Sequence, residues 1–427
     1  MPELIHREFA PVTMTLLLLA RSPGVLINPA FSYEDGRYFY ISTYFSSPLT
    51  LLTTPYAGSL QTGPQLAAYL ERLVSPANAP IVGSFFSLLT VMLIAGFLAS
   101  SRMASLIPNS RLRLLLALGF LLLPGGGESY GRSYEVNFYL AFWMLLLVLA
   151  TPARSALVSG AERVLLVVAA LSGPFSTLLA PLFVIRACRE RSRNAGIAAL
   201  IVSVGGLIQL AFIIAGRTAN GGSYSLFDYL EIIASHLVIQ PFIGTPLLIV
   251  FEATTWPPLI ALLAVIIFLG FLINAAARLP RGPVLTLLYG GAVIALAGIA
   301  SNNTGRSSLL DAVQGQRYFL VWGAVVGGIV VAAAFAPGKD RLRRGIAIIA
   351  LTVLGWGVLF GFRIGHDYNP NWAAAAACIG GPTPCVVQVL NSPGLGWDIY
   401  WPGTGASDNP GASSQPSPSG ENSTQNP

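Results

Sequence analysis

Nine stretches of this chain are apolar enough to call for hydrocarbon, not water, as their surroundings. They run over 12–28, 81–99, 112–124, 136–151, 195–216, 257–274, 284–300, 318–335 and 345–361. A spanning helix needs about 20 predominantly apolar residues, fewer where flanking side chains snorkel. Charge is too scarce to cover a soluble surface: 10% of the residues are Asp, Glu, Lys or Arg, against roughly 25% in globular domains. The expected fold is an all-α membrane protein of about 9–11 transmembrane helices.

Counting charge orients these helices. The stretches Arg102–Arg113, Arg154–Arg163, Arg186–Arg193, Arg278–Arg281 and Lys339–Arg344 hold 15 of the 24 basic residues. Cytoplasmic loops carry the excess of Lys and Arg. Placing these five there with the N-terminus leaves 13 of the 18 acids on the other side. This closes only if 163–186, an apolar run broken by Gly173-Pro174 and by Pro181, enters and leaves on the same side. A hairpin of two half-helices kinked at Ser172-Gly173-Pro174 does so, because proline cannot continue the hydrogen-bond ladder. Such broken helices are tolerated where protein or a cavity surrounds them. The alternative is one kinked span with another span misassigned. The run 226–252 is interrupted by Asp228, Glu231, His236, Pro241 and Pro246, and reads as an interfacial helix or as a tenth span.

The plan that results is a multi-span domain over 1–361 with a first exoplasmic loop at 29–80. An exoplasmic segment at 362–402 follows, then a tail at 403–427 whose Pro, Ser, Gly and Asn predict disorder. Met14–Ile27 lacks a small-x-small cleavage pattern and reads as an anchor. The net charge of +6 comes with no basic stripe interleaved with aromatics, so nucleic acid is not an expected partner. A single lysine amid abundant Ala, Gly and Leu suggests a GC-rich bacterial genome, hence a bacterial inner (plasma) membrane with the active side extracytoplasmic. Cys378 and Cys385 lie close together in the outer segment, whereas Cys188 stands among arginines. One outer disulfide and one reduced inner thiol fit that spacing, and three unrelated small residues are the alternative.

The sharpest local feature is Tyr33-Glu34-Asp35-Gly36-Arg37, just beyond the first span. Adjacent carboxylates there can hold a divalent metal, or one can act as a general base while Arg37 holds the other. An ordinary Asp-Gly turn with a solvated glutamate is the plain alternative. Arginine's planar fork suits phosphate, and Arg317, Arg132, Arg306 and Arg37 all fall outside the cytoplasmic set. Arg317 opens a late span beside Gln316 and Tyr318, where a snorkelling anchor would also sit. Glu128 and Glu135 bracket a short outer loop and can contact sugar hydroxyls or merely solvate it; His236 can assist. Trp372, Trp397, Tyr400 and Trp401 offer sugar-stacking rings or an interfacial belt. No histidine pair stands at zinc-ligand spacing, and no phosphate loop follows a strand.

Four short motifs add a resemblance: Glu34-Asp35-Gly36, Pro55-Tyr56-Ala57-Gly58, Leu171-Ser172-Gly173-Pro174-Phe175 and Gln316-Arg317-Tyr318-Phe319. In this order, over most of 1–361, the chain resembles bacterial membrane glycosyltransferases of the GT-C superfamily, an uncharacterised group within it most of all. The resemblance implies a polyprenyl-phosphate-linked sugar donor, an extracytoplasmic glycan or lipid acceptor, and an acidic base in the first exoplasmic loop. The matching position is Asp35, with Glu34 beside it; Tyr56 would lie near the acceptor or sugar. Ser59-Leu60-Gln61-Thr62 departs from the group's leucine- and histidine-bearing stretch. A transporter or flippase of lipid-linked glycans, or a non-catalytic membrane assembly subunit, are the competing readings. Span interiors nearly free of ionisable residues, Arg21 excepted, favour the enzyme over a transporter.

Overall fold

A computed structural model describes residues 2–31, 34–124, 127–216, 224–252, 258–301, 309–310, 315–336, 341–364, 371–389 and 398–404. Arg306, Trp397 and the tail beyond 404 lie outside the described residues. The chain is mostly helical. It opens with α1 (Pro2–Arg21) and α2 (Gly24–Ile27), and the first loop holds a π-helical turn (Asp35–Tyr40), α3 (Pro48–Thr53) and α4 (Thr62–Arg72). Next come α5 (Ala79–Ala99), α6 (Ser110–Leu121), α7 (Val136–Leu149), α8 (Ala156–Ala170), α9 (Phe175–Glu190) and α10 (Arg193–Ala215). After α11 (Leu226–Ile232) and α12 (Gln240–Glu252), the bundle closes with α13 (Pro258–Ala276), α14 (Arg281–Ser301), α15 (Gln316–Phe335) and α16 (Arg341–Phe360).

Among the described residues six helical segments are long and apolar enough to cross a membrane: 79–99, 193–215, 226–245, 259–276, 281–301 and 316–335. Shorter apolar helices cover 11–21, 136–149 and 344–360. Their apolar surfaces point outward as well as inward. On α10, Leu200, Leu207 and Ile214 are exposed, and on α13 so are Leu259, Ile266 and Ile273. Both sets repeat every seven residues, which puts one apolar stripe of each helix on the perimeter. Water would penalise such stripes; a bilayer accepts them. By contrast α7 is buried from Val136 to Leu147 and α15 is mostly buried, so these two form the bundle's centre.

The polar ends sort onto two faces. On one, arginines cap helix C-termini, where orphan carbonyls attract cations. Arg186 donates to the carbonyls of Leu147 and Ala150, and Arg278 to that of Ala336 at 2.9 Å. Arg102 pairs with Glu162 and donates to the carbonyl of Thr151. We call this the arginine face; the other gathers the carboxylates of the first loop, the α6–α7 loop and the start of α15.

The broken run is a hairpin. Midway along α8, Glu162 pairs with Arg102 and Arg163 donates to Asn194 at the start of α10 (2.8 Å), so the first half of α8 lies on the arginine face. Its far end meets the middle of α10, where a Cβ on Gly205 would lie 2.7 Å from that of Ala170. The chain reverses at Gly173 (φ 82°) and α9 descends to Arg191, beside which α10 begins. Both ends of 163–186 therefore lie on the arginine face, as the charge count requires.

The same parity settles 226–252. α10 ends against Gly58 of the first loop, and α13 runs from the carboxylate face to the Arg278–Ala336 contact. Both ends of the intervening segment lie on the carboxylate face, so it dips in and returns in spite of its span-like hydropathy. The reversal comes at Gly244 (φ 72°), where a Cβ would crowd Pro124 at 2.9 Å.

The C-terminal segment on the carboxylate face departs from the all-α expectation. Cys385–Val387 and Ile399–Trp401 form a small antiparallel hairpin, and a disulfide joins Cys378 to Cys385. With Trp372 it packs on Phe31, Tyr40 and Ala79 of the first loop. Trp372 and Trp401 are fully buried in that cluster, so they serve packing and are not open sugar platforms.

Candidate functional site

The first loop is held rigidly before it presents any chemistry. Tyr56 and Ser59 exchange backbone hydrogen bonds across Ala57 (φ 49°) and Gly58 (φ 77°). Two positive φ values in a two-residue hairpin loop are what a type I′ turn needs, and Gly58 supplies one without strain. Residues 60–63 then dock on the α8–α9 tip: Gly173 N–H donates to Leu60 O (2.7 Å) and Gly63 N–H to Ser172 Oγ (2.7 Å). Gln209, buried in mid α10, accepts from Leu60 N–H at 2.9 Å and donates back to its carbonyl. Asn137 donates to Gln61 Oε1 at 3.0 Å. The stretch 59–63 is thus a docking element.

Asp35 opens a π-helical turn, with Glu34 just before it, instead of an exposed Asp-Gly turn. Such i→i+5 turns are rare and cluster at functional sites. Gly36 allows it: a Cβ there would lie 2.6 Å from Ile399 of the outer hairpin and 3.0 Å from Phe31. Asp35 is only 4% exposed. Its Oδ1 accepts from Tyr134 N–H (2.7 Å) and lies 3.0 Å from Ser133 Oγ. The same Ser133 Oγ lies 2.9 Å from Glu71 Oε1, on α4. Glu71 is fully buried, and among the described residues its Oε2 has no hydrogen-bond partner. A Cβ on Gly83 of α5 would collide with the Glu71 carboxyl, so only glycine leaves it room.

Glu34 turns the other way. Arg317 gathers Glu128 (2.8 Å), Glu135 (3.2 Å) and Glu34 (3.8 Å), and its backbone N–H also donates to Glu128. The guanidinium lies near the rings of Tyr318 (5.2 Å) and Tyr134 (5.9 Å). Tyr38, Phe39, Tyr56 and Tyr134 pack together beside it, with centroids 5.0–5.7 Å apart. Arg132 is half-buried and adds positive potential at Glu135. The structure therefore brings Glu34, Asp35, Tyr56, Glu128, Arg132, Glu135 and Arg317 into one region. Arg37 lies over Tyr38 at 5.4 Å.

His236 is placed elsewhere. It sits in a second π-helical turn (Ile233–Ile239), stacked on Phe319 at 4.6 Å. Its ring nitrogens face Gln240 Oε1 (2.9 Å) and Leu309 O (2.8 Å), so it secures the dipping segment to the bundle and does not reach the carboxylates. Arg21 is structural too: it caps α6 through the carbonyls of Leu121 and Leu123. As for a metal, Glu34 and Asp35 face different partners. Among the described residues no three His, Cys, Asp or Glu side chains are grouped to hold an ion.

Glu71 is the residue that reading the sequence missed. The buried positions of α4 include Pro64, Ala67, Ala68 and Glu71, an i, i+3, i+4, i+7 face. That periodicity places a carboxyl inward and was available from the sequence. Burial first, and the nearby Asp35 second, push the Glu71 carboxyl well above its ordinary value of 4.5; Ser133 opposes them. A carboxyl whose folded pKa is raised binds its proton more tightly in the folded chain, so stability falls as pH rises above 4.5. The slope is at most about 1.4 kcal/mol per pH unit for one group. Glu71→Gln is expected to flatten that fall in melting curves taken from acid to neutral pH; an unchanged slope would place Glu71 in water. Against known proteins, the chain matches no family model, no curated protein and no solved structure.

Proposed function

We propose that this is an integral membrane glycosyltransferase that moves a sugar from a polyprenyl-phosphate-linked donor to an extracytoplasmic glycan or lipid acceptor, with Asp35 as general base. The observation that carries the reading is the site's composition: a buried aspartate in a π-helical turn, flanked by carboxylates, an arginine and four packed aromatic rings. Carboxylates bind sugar hydroxyls, aromatic faces stack on sugar rings, and a base removes the acceptor proton as the lipid phosphate leaves. The arginine face is then cytoplasmic, and the carboxylates lie where lipid-linked sugars are exposed outside. Arg317 would receive the departing phosphate by exchanging a carboxylate for it. Asp35 is buried, so the acceptor reaches it when the aromatic patch over the turn parts.

The test is transfer by purified protein in lipid nanodiscs, with polyprenyl-phosphate sugars as donors and envelope lipids and glycans as acceptors. Sugar transfer supports the proposal; absence of transfer and of donor hydrolysis across the donor panel removes it. One observation favours a second reading, a non-catalytic assembly subunit: Arg317 already meets three carboxylates, so the cluster can act as a structural lock. Orientation has its own check. Cys188 is exposed and free, and the other two cysteines are paired. A membrane-impermeant thiol reagent is expected to label Cys188 in inverted vesicles and spare it in right-side-out ones. The reverse pattern would put the carboxylates in the cytosol.

A further inference from the structure

Ser133 Oγ lies within hydrogen-bond distance of two carboxyl groups, Glu71 Oε1 at 2.9 Å and Asp35 Oδ1 at 3.0 Å. A serine hydroxyl has one proton to donate, so it can serve only one of them. If both acids were ionised, the other contact would set two lone pairs against each other in a buried site, where an unmatched charge is costly. One carboxyl must therefore carry a proton and donate it to Ser133.

The surroundings decide which. Asp35 Oδ1 also accepts from Tyr134 N–H at 2.7 Å, so that oxygen is fixed as an acceptor. Among the described residues Glu71 receives no such backbone donor: its Oε2 is buried without a partner among them, and the α5 side of its pocket is Gly83. The charged and titratable groups near it are Asp35 on the π-helical turn, the Tyr40 hydroxyl, and Arg72 on its own helix. Arg72 is spent on the ring of Tyr44, 3.7 Å from its centroid. Among the described residues, no cation acts on the Glu71 carboxyl.

We infer that Glu71 is a protonated positioning residue: its carboxylic acid donates to Ser133, whose hydroxyl donates to Asp35, and the one-way chain keeps Asp35 ionised and fixed. The word base for Asp35 rests on the proposed function, but the location of the proton does not. Glu71 is fully buried and acts through Ser133 on Asp35.

Infrared difference spectra of the full-length protein in nanodiscs at neutral pH test this without any sugar donor. Subtracting Glu71→Gln from wild type should reveal the C=O stretch of a protonated carboxyl, and in Ser133→Ala that band should persist at a shifted frequency. Ionised-carboxylate bands in place of the C=O stretch would overturn the assignment. So would a band whose position is unmoved by Ser133→Ala, since Glu71 would then not donate to Ser133. Glutamine keeps an N–H donor for Ser133, so the first variant preserves the fold; melting curves verify it. Failure here leaves the transferase reading standing, and failure of transfer leaves the proton where the spectra put it.

Discussion

Asp35→Asn is expected to slow sugar transfer by about 10²–10⁴-fold, the usual contribution of a positioned general base. The substitution is nearly isosteric, and an asparagine Oδ1 can still accept from Tyr134 N–H and Ser133. Gly36 continues to admit Ile399 and Phe31, so the π-helical turn survives while its basicity is lost. The loss should therefore fall on kcat, with the melting temperature close to that of wild type. Glu34→Gln makes the contrast. Glu34 is the most distant of the three acids around Arg317, at 3.8 Å, and does not meet Ser133, so its loss should change donor affinity more than kcat. Full turnover by Asp35→Asn would remove Asp35 from the chemistry and leave the aromatic and carboxylate patch as a binding surface only.

What the sequence made legible follows physical range. Hydropathy and arginine placement are local or additive, and they located the helices, the hairpin at Gly173-Pro174 and the segregation of acids onto one face. Parity was needed for 226–252, because its composition is that of a span, and only the ends of α10 and α13 with its own contacts to Pro124 and Leu309 show that it returns. The site was partly legible. Glu34, Asp35, Glu128, Glu135 and Arg317 were singled out one by one, but their partnerships join residues from nearly 100 to more than 280 positions apart, which no local pattern encodes. Arg317 was singled out as a phosphate contact or an interfacial anchor, and the three acids that meet it come from distant parts of the chain. Reading His236 as a sugar contact missed that a buried imidazole between two acceptors and against Phe319 is a tether. The outer hairpin was hidden because strands of three residues carry too little periodicity to detect.

Arg317→Met is expected to destabilise the protein by about 3–5 kcal/mol, the cost of leaving buried charges without their partner. The side chain is 18% exposed and Glu135 is 1% exposed, so solvent cannot take the arginine's place at the deepest acid. Burial, resisted by Arg317, already pushes the Glu135 carboxyl above its ordinary range; without the arginine it should be neutral at pH 7. Adding Glu135→Gln to Arg317→Met should then recover part of the loss, because removing both members of a buried pair costs less than removing one. Unfolding of the two single variants and the double variant in nanodiscs measures the coupling. A cycle without coupling would mean that the cluster is not held by this arginine. The same samples separate lock from binding site. If phosphate displaces a carboxylate from Arg317, a polyprenyl phosphate at 100 times its Kd should stabilise wild type by about 2.7 kcal/mol and the Arg317→Met variant by much less. Equal stabilisation of both, or none of either, would leave Arg317 as a structural hub and shift any phosphate site to another cation.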